Sequence, residues 1–190
     1  DLGHLPDDRD RIRSALLVAV GECDAVVTSG GVSMGEHDEV KAVLAEIAEM
    51  RWMQVAIRPA KPLAFGTVPS GGRSVPVFGL PGNPVSAQVS FELFARPALR
   101  RMMGHRRVDL RRLVAVAPEG IERSVDGKVH FDRAVLDVVA GGALEVRALG
   151  HQGSHQTAAM AQANALAVVP DGEGVAPGGA VEVIPLGSDW

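Results

Sequence analysis

The apolar residues of this chain change their spacing once, near Gly104, and that change limits the folds open to it. Before it, helical periodicity alternates with short continuous apolar runs. Ile12, Ala15, Leu16 and Ala19 recur at i, i+3, i+4 and i+7 after Pro6-Asp7-Asp8, whose acids suit a cap and first turn, and Gly21 is a helix stop. Residues 24–28 read as a short buried strand, and Val40, Val43, Leu44 and Ile47 repeat the helical spacing. Residues 53–57, 63–68 and 75–78 read as strands, and residues 84–103 as a long helix kinked near Pro97. Such alternation predicts an α/β domain whose sheet is mostly parallel, with helices on its faces.

After Gly104 the pattern is strand and turn. Residues 111–117, 128–138, 144–149, 165–169 and 180–186 read as strands, separated by turns such as Asp126-Gly127, Gly141-Gly142 and Pro177-Gly178-Gly179. One helical patch, residues 156–162, interrupts them. A small β-rich, barrel-like domain follows from this, so the expected division is 1–106 and 107–190. The joining segment RPALRRMMGHRRVDLRR is rich in arginine but has no interleaved aromatics. In a chain of net charge -4 it reads as cations at a helix C-terminus, not as a nucleic-acid surface.

Composition excludes several classes. With 46% hydrophobic residues in 190, the chain can bury a core. A single cysteine, Cys23, rules out an intramolecular disulfide framework and suits a reducing compartment. No apolar run approaches the roughly 20 residues that span a bilayer, and no signal-peptide pattern is visible. The expectation is a cytoplasmic protein with neither membrane nor nucleic acid as partner. Because the chain begins at Asp1 without a methionine, it is also expected to be a piece of a longer one.

Three segments of the first half could carry chemistry. In TSGGVSMGEHD, residues 28–38, a glycine-rich turn leaves a buried strand and meets a helix start. Gly30, Gly31 and Gly35 let the backbone approach a ligand, and free amides there favour an anion. Glu36 and Asp38 serve either as first-turn acids or as holders of a Mg²⁺ that bridges phosphates. In GLPGNPVSA, residues 79–87, Pro81-Gly82 forces a turn, Asn83 is an N-cap and Pro84 an N1 residue. This is either a second anion site or a well-capped structural helix. In RPAKPLAFG, residues 58–66, two prolines fix a loop bearing Arg58 and Lys61, for which an oxyanion is the natural partner.

In the second half, period-two alternation in VHFDRAV puts Arg133 on a face with Val129, Phe131 and Val135. A cation there needs a carboxylate or a bound anion, unless a bulge near Asp132 turns it to solvent. Ser154, in the turn GHQGSHQ, either caps the helical patch or donates to a ligand. No CxxC or HExxH spacing indicates zinc, and no Ser/His/Asp arrangement has recognisable context.

Taken in order, DAVVTSGGVSMGEHD, RPAKPLAFG, GLPGNPVSAQVSFELFARPALRRMMG and GSHQTAAMAQANALAVVP resemble the MoeA/gephyrin family of molybdopterin molybdenumtransferases, over about residues 7–186. The resemblance implies a pterin-binding α/β domain, truncated at its N-terminus, followed by a C-terminal β domain. It implies insertion of molybdate into adenylylated molybdopterin, with Mg²⁺ and release of AMP, in a homodimer. Ser29, Gly30, Gly31, Ser33 and Gly35 would then cradle the pterin or its phosphate, with Asp38 near the metal. Arg58, Lys61 and Pro62 match the family's Pro-Gly-Lys-Pro loop; Lys61 and Asp38 would be catalytic. Pro81, Gly82, Asn83 and Ser86 would line the same pocket, and Arg133 and Ser154 would hold molybdate. Ala60 stands where that loop has glycine, which either alters its backbone or is accommodated at negative φ. The family's Thr-Gly-Asp-Glu stretch is absent, so the 190-residue chain alone is expected to be inactive. A related molybdopterin adenylyltransferase would share the α/β domain but not the β-rich half. A non-catalytic pterin-binding or scaffold module is the remaining alternative.

Overall fold

The computed structural model describes residues 1–32, 38–150 and 157–187. Ser33, Gly35, Glu36 and Ser154, singled out above, lie outside the described residues. In chain order the elements are α1 (Arg9–Glu22), β1 (Val26–Ser29), α2 (Glu39–Ile47), β2 (Glu49–Gln54), β3 (Ile57–Arg58), β4 (Pro62–Ser70) and β5 (Arg73–Leu80). A continuous helical stretch follows: α3 (Pro84–Ser90), a π-helical turn (Phe91–Ala95) and α4 (Arg96–Met102). Then come β6 (Leu113–Ala117), β7 (Ile121–Glu122), β8 (Val129–Val138), β9 (Leu144–Ala148), α5 (Thr157–Gln162), β10 (Ala165–Val169), β11 (Gly174–Val175) and β12 (Gly179–Pro185). Two compact units result. One comprises Asp1–Val55 and Pro62–Arg106, the other Ala56–Lys61 and Arg107–Trp190.

The first unit is built on a four-stranded sheet of order β1-β5-β4-β2. Asp8 caps α1 by accepting from the Arg11 N–H at 2.9 Å. The helix lays Ile12, Leu16, Ala19 and Val20 with Val43 and Leu44 of α2 onto Val26, Val68, Val75 and Val77 of the sheet. Against the opposite face, Leu63, Phe78 and Leu80 pack on Ala95 and the partly buried Phe91, Phe94 and Leu99. The expected kink near Pro97 takes the form of the π-helical turn. Proline offers no N–H to the Leu93 carbonyl, and the Arg96 N–H reaches back to Phe91.

The expectation of a mostly parallel sheet is corrected here, because the sheet is mixed. β1 and β5 are parallel, while β5–β4 and β4–β2 are antiparallel. The reason is loop length. Gly71-Gly72 joins β4 to β5, and only residues 55–61 join β2 to β4, too few for the crossover that parallel neighbours need. The strand expected over 53–57 also divides. β2 ends at Gln54 in the sheet, and Ile57–Arg58 pairs in the other unit.

In the second unit, β8, β9, β6, β12 and β10 form a closed five-stranded barrel-like sheet, the circuit completed by β10 against β8. Closure leaves these five strands without a continuous free edge. Its interior is filled by small and branched residues: Ala115, Ala117, Ala134, Leu136, Val146, Ala165, Ala167, Val169, Val181 and Val183. β3 adds to the same edge of β8 as β9, pairing in parallel with Ile57 opposite Val129 and Arg58 opposite His130. The short pair β11–β7 lies apart from the barrel ladder. No helix among the described residues is long and apolar enough to cross a membrane.

Candidate functional site

In the first unit, the parallel register of β1 and β5 sets Ser29 opposite Leu80, so two glycine-bearing turns leave the sheet side by side. The Gly30 N–H donates to the Leu80 carbonyl at 2.9 Å, and the Ser29 hydroxyl lies 3.5 Å from the Pro81 carbonyl oxygen. A side chain on Gly82 would come within 3.6 Å of the Gly30 Cα, which measures how closely the turns approach. Gly30 has φ +105° with open space where a Cβ would stand, and Gly31 has φ +82° with Val40 only 2.3 Å from that position. The first glycine leaves backbone accessible, and the second lets the start of α2 pack against the turn.

That packing brings the half-buried Asp38 to the same end of the sheet. Its Oδ1 accepts from the Lys41 N–H at 3.2 Å, making it the N-cap of α2. Asn83 does the same for α3, accepting from the Ser86 N–H at 3.3 Å, with Pro84 in the first turn and Ser86 buried. Ser29, Gly30, Gly31, Asp38, Pro81, Gly82, Asn83 and Ser86 thus gather at the carboxyl ends of β1 and β5. In open α/β sheets this is where ligands bind. Among the described residues no group of three or more His, Cys, Asp or Glu side chains converges as a metal site.

The cationic loop belongs to the second unit. Arg58 and Lys61 are exposed, the Arg58-Pro59 bond is cis, and Ala60 is buried with φ +80°. Accommodation of Ala60 at negative φ is therefore corrected: the alanine takes the left-handed conformation that glycine would adopt freely. Pro62 starts β4 and so lies in the first unit, which divides the segment. On β8 the ladder with β10 runs without a skipped residue from His130 to Ala134, so no bulge turns Arg133 outward. Arg133 is 0% exposed, on the face with Phe131 and opposite Leu166. Burial lowers its pKa, and the neighbouring Asp132 opposes that shift.

Three polar side chains near this segment escaped the sequence reading. Asp132 and His130 are buried, and burial raises the Asp132 pKa against the pull of His130, Arg133, Arg58 and Arg123. The Arg123 side chain, only 1% exposed, donates to the carbonyls of Lys128, Val169 and Pro170 and to Asp126 and Asp171. The signal for the first two was the alternation of β8. His130 and Asp132 fall on the face of Ala134 and Leu136, so both faces of the strand are apolar and each carries charge.

Residues 1–101 match the family described as "Probable molybdopterin binding domain", and residues 121–186 match "MoeA C-terminal region (domain IV)". A molybdopterin molybdenumtransferase of Haemophilus influenzae is 35% identical over 188 residues, covering 98% of this chain and 45% of that protein. A gephyrin of Dictyostelium discoideum is 38% identical over 115 residues, covering 54% of this chain and 16% of its own. A crystal structure of the molybdopterin biosynthesis MoeA protein of Pyrococcus horikosii superimposes with a TM-score of 0.74 at 27% identity, covering all of this chain and 44% of that one. The chain thus spans less than half the length of these relatives. The two matched regions, their order and the fold they share lead to one assignment: the chain belongs to the MoeA/gephyrin family of molybdopterin-binding proteins.

Proposed function

We propose that this chain is the pterin- and oxyanion-binding part of a molybdopterin molybdenumtransferase, which inserts molybdate into adenylylated molybdopterin and releases AMP. The observation that carries the reading is the pair of glycine turns at the ends of β1 and β5, held together by the Gly30–Leu80 hydrogen bond. Backbone amides in such turns suit a phosphate-bearing ligand. In this reading Ser29, Gly30, Gly31, Ser33 and Gly35 cradle the pterin or its phosphate, and Pro81, Gly82, Asn83 and Ser86 line the same pocket. Pro62 holds the end of the cationic loop. Arg58, Lys61, Arg133 and Ser154 bind oxyanions, with Lys61 countering the negative charge that develops during transfer. Fixed cations and amides stabilise such charge better than water that must reorient.

Asp38 fits Mg²⁺ in the mode where one carboxylate holds the ion and phosphates and water complete its shell. Its Oδ1 caps α2. Mg²⁺ there would stabilise the leaving phosphate. The working protein in this reading is a cytoplasmic homodimer of longer chains.

The test uses a protein spanning the full length of the relatives, supplied with adenylylated molybdopterin, molybdate and Mg²⁺. AMP release and formation of the metallated cofactor are followed. Both are expected, and Lys61→Ala and Arg133→Ala should each lower the rate about 10²-fold or more, the scale of one lost charge-stabilising group. Pterin binding without turnover would replace the enzyme by the scaffold module.

A further inference from the structure

Among the groups of the proposed substrate, the adenine still lacks a partner on the chain, and Trp52 of the first unit is suited to it. Trp52 stands in the edge strand β2 and is 38% exposed. Tryptophan is highly buried on average, so an exposed indole on an edge strand calls for a cause. The ladders set Trp52 opposite Ala64, Ala64 opposite Gly79 and Gly79 opposite Thr28. These four form one row on one face of the sheet, ending where the glycine turn begins. At about 4.8 Å per strand, Trp52 lies roughly 10 Å from Gly79 along the row. Val32 stands over Gly79, 2.7 Å from where a Cβ would be. The chain therefore leaves β1 across this face, in the direction of Trp52. The start of α2 completes the path. Gly31 lies against Val40, and the next residue, Lys41, holds its ammonium 5.5 Å from the centre of the Trp52 ring. Among the described residues no carboxylate pairs with that ammonium.

We propose that Trp52 and Lys41 form a nucleotide subsite beside the glycine turns, in which the indole stacks on the adenine of the adenylylated pterin and the ammonium contacts its phosphate. This rests on the function proposed above. One ligand meets the needs of both side chains. An aromatic face stacks on a nucleobase without any group to read its edge. A cation within about 6 Å of the ring centre holds the indole in place. On its flexible stem that cation also reaches a phosphate as a point charge. Asp38 precedes Lys41 by three residues, and its Oδ1 accepts from the Lys41 N–H at 3.2 Å. The carboxylate proposed for Mg²⁺ and the ammonium proposed for the phosphate thus leave the same turn of α2.

The chain has two tryptophans, Trp52 and Trp190, so Trp190→Phe leaves the Trp52 indole as the sole reporter. AMP should quench its fluorescence, and ribose 5-phosphate, which has no base, should not. In calorimetric titrations of the 190-residue chain, Trp52→Leu should lower AMP affinity about tenfold or more, the scale of one lost base–aromatic stack. Trp52→Phe keeps a ring and should keep most of the affinity. Lys41→Ala should weaken AMP about tenfold and adenosine, which has no phosphate, hardly at all. Met53→Ala, at a residue 37% exposed on the opposite face, should change neither. The quenching experiment leaves Trp52 intact, so it decides the matter even if Trp52→Leu does not fold. AMP binding without quenching, or an affinity unmoved by Trp52→Leu, overturns the proposal. So does a chain that binds molybdopterin and ignores AMP. Failure of the underlying function looks different: the chain would then bind neither molybdopterin nor AMP, and the proposal falls with it.

Discussion

Ala60, at φ +80°, stands in a backbone region that costs an L-residue about 1–2 kcal/mol and glycine almost nothing. Glycine gives back part of that gain through its freer unfolded chain. Ala60→Gly is therefore expected to stabilise the protein by about 0.5–1 kcal/mol, read from the urea midpoint at unchanged slope. Asp38 offers a second test at this scale, because its cap and its charge can be separated. Asn caps a helix as well as Asp, so Asp38→Asn should keep stability within a few tenths of a kcal/mol, whereas Asp38→Ala should lose about 1 kcal/mol. If Asp38 also holds Mg²⁺, Asp38→Asn alone should raise the Mg²⁺ concentration needed for AMP release; an unaltered requirement would leave the residue purely a cap. Single residues were legible where local chemistry decides them. Asn83 and Pro84 announced a helix start, and Arg133 announced a conflict on an apolar face. The φ of Ala60 was not legible, because the loop's path is imposed by pairing of Arg58 with His130, far along the sequence.

At the scale of elements, one end of the barrel is tied by the Arg123 guanidinium, which joins the turn at residues 124–128 to the end of β10 and the Asp171 turn. Arg123→Ala leaves those carbonyls without their donor and should cost about 1–3 kcal/mol, the penalty of buried acceptors left unsatisfied. Arg123→Lys should recover little, since an ammonium cannot reproduce the planar fork; equal urea midpoints for Lys and wild type would contradict this. Asp126 belongs to the same cluster. Hydrogen bonding from Lys128 first, then the contact with His130, brings its pKa from 3.8 to about 2, although desolvation pulls the other way. A depressed carboxylate pKa stabilises the fold above its unfolded value. That contribution is therefore complete above about pH 4 and is lost as pH falls toward 2. Melting curves of Asp126→Asn should lie below wild type at pH 6 and converge with it near pH 2; a constant gap across that range would exclude the assignment. This cluster was illegible in the sequence because Val169, Pro170 and Asp171, which close it, lie 44–48 positions from their partners in residues 123–127, whereas the barrel strands, each set by its own alternation, were legible. β7 and β11, two residues each, are too short to carry a period.

For the molecule as a whole, the decisive feature is that the sequence order of its parts is not their spatial order. Residues 56–61 lie between two stretches of the first unit and belong to the second. Local periodicity merged them with β2 because the apolar run is continuous from Met53 to Ile57 except for Gln54. Only the partner strand β8, some 70 positions away, separates them. Ile57 is 8% exposed, opposite Val129, and the Val129 N–H donates to the Ala56 carbonyl at 2.9 Å. Ile57→Ala should thus cost about 2–4 kcal/mol, and the loss should fall on the barrel and not on the sheet next to it in sequence. Hydrogen exchange can assign it. Amides of β8 and its neighbours β10 and β9 should lose protection, while β1 and β5 keep theirs. The reverse pattern, with β4 and β5 exposed and β8 protected, would show that this segment is held by the first unit. It would also detach Arg58 from Arg133, so the same exchange map bears on whether the two cations proposed to bind the oxyanion are both carried by the barrel.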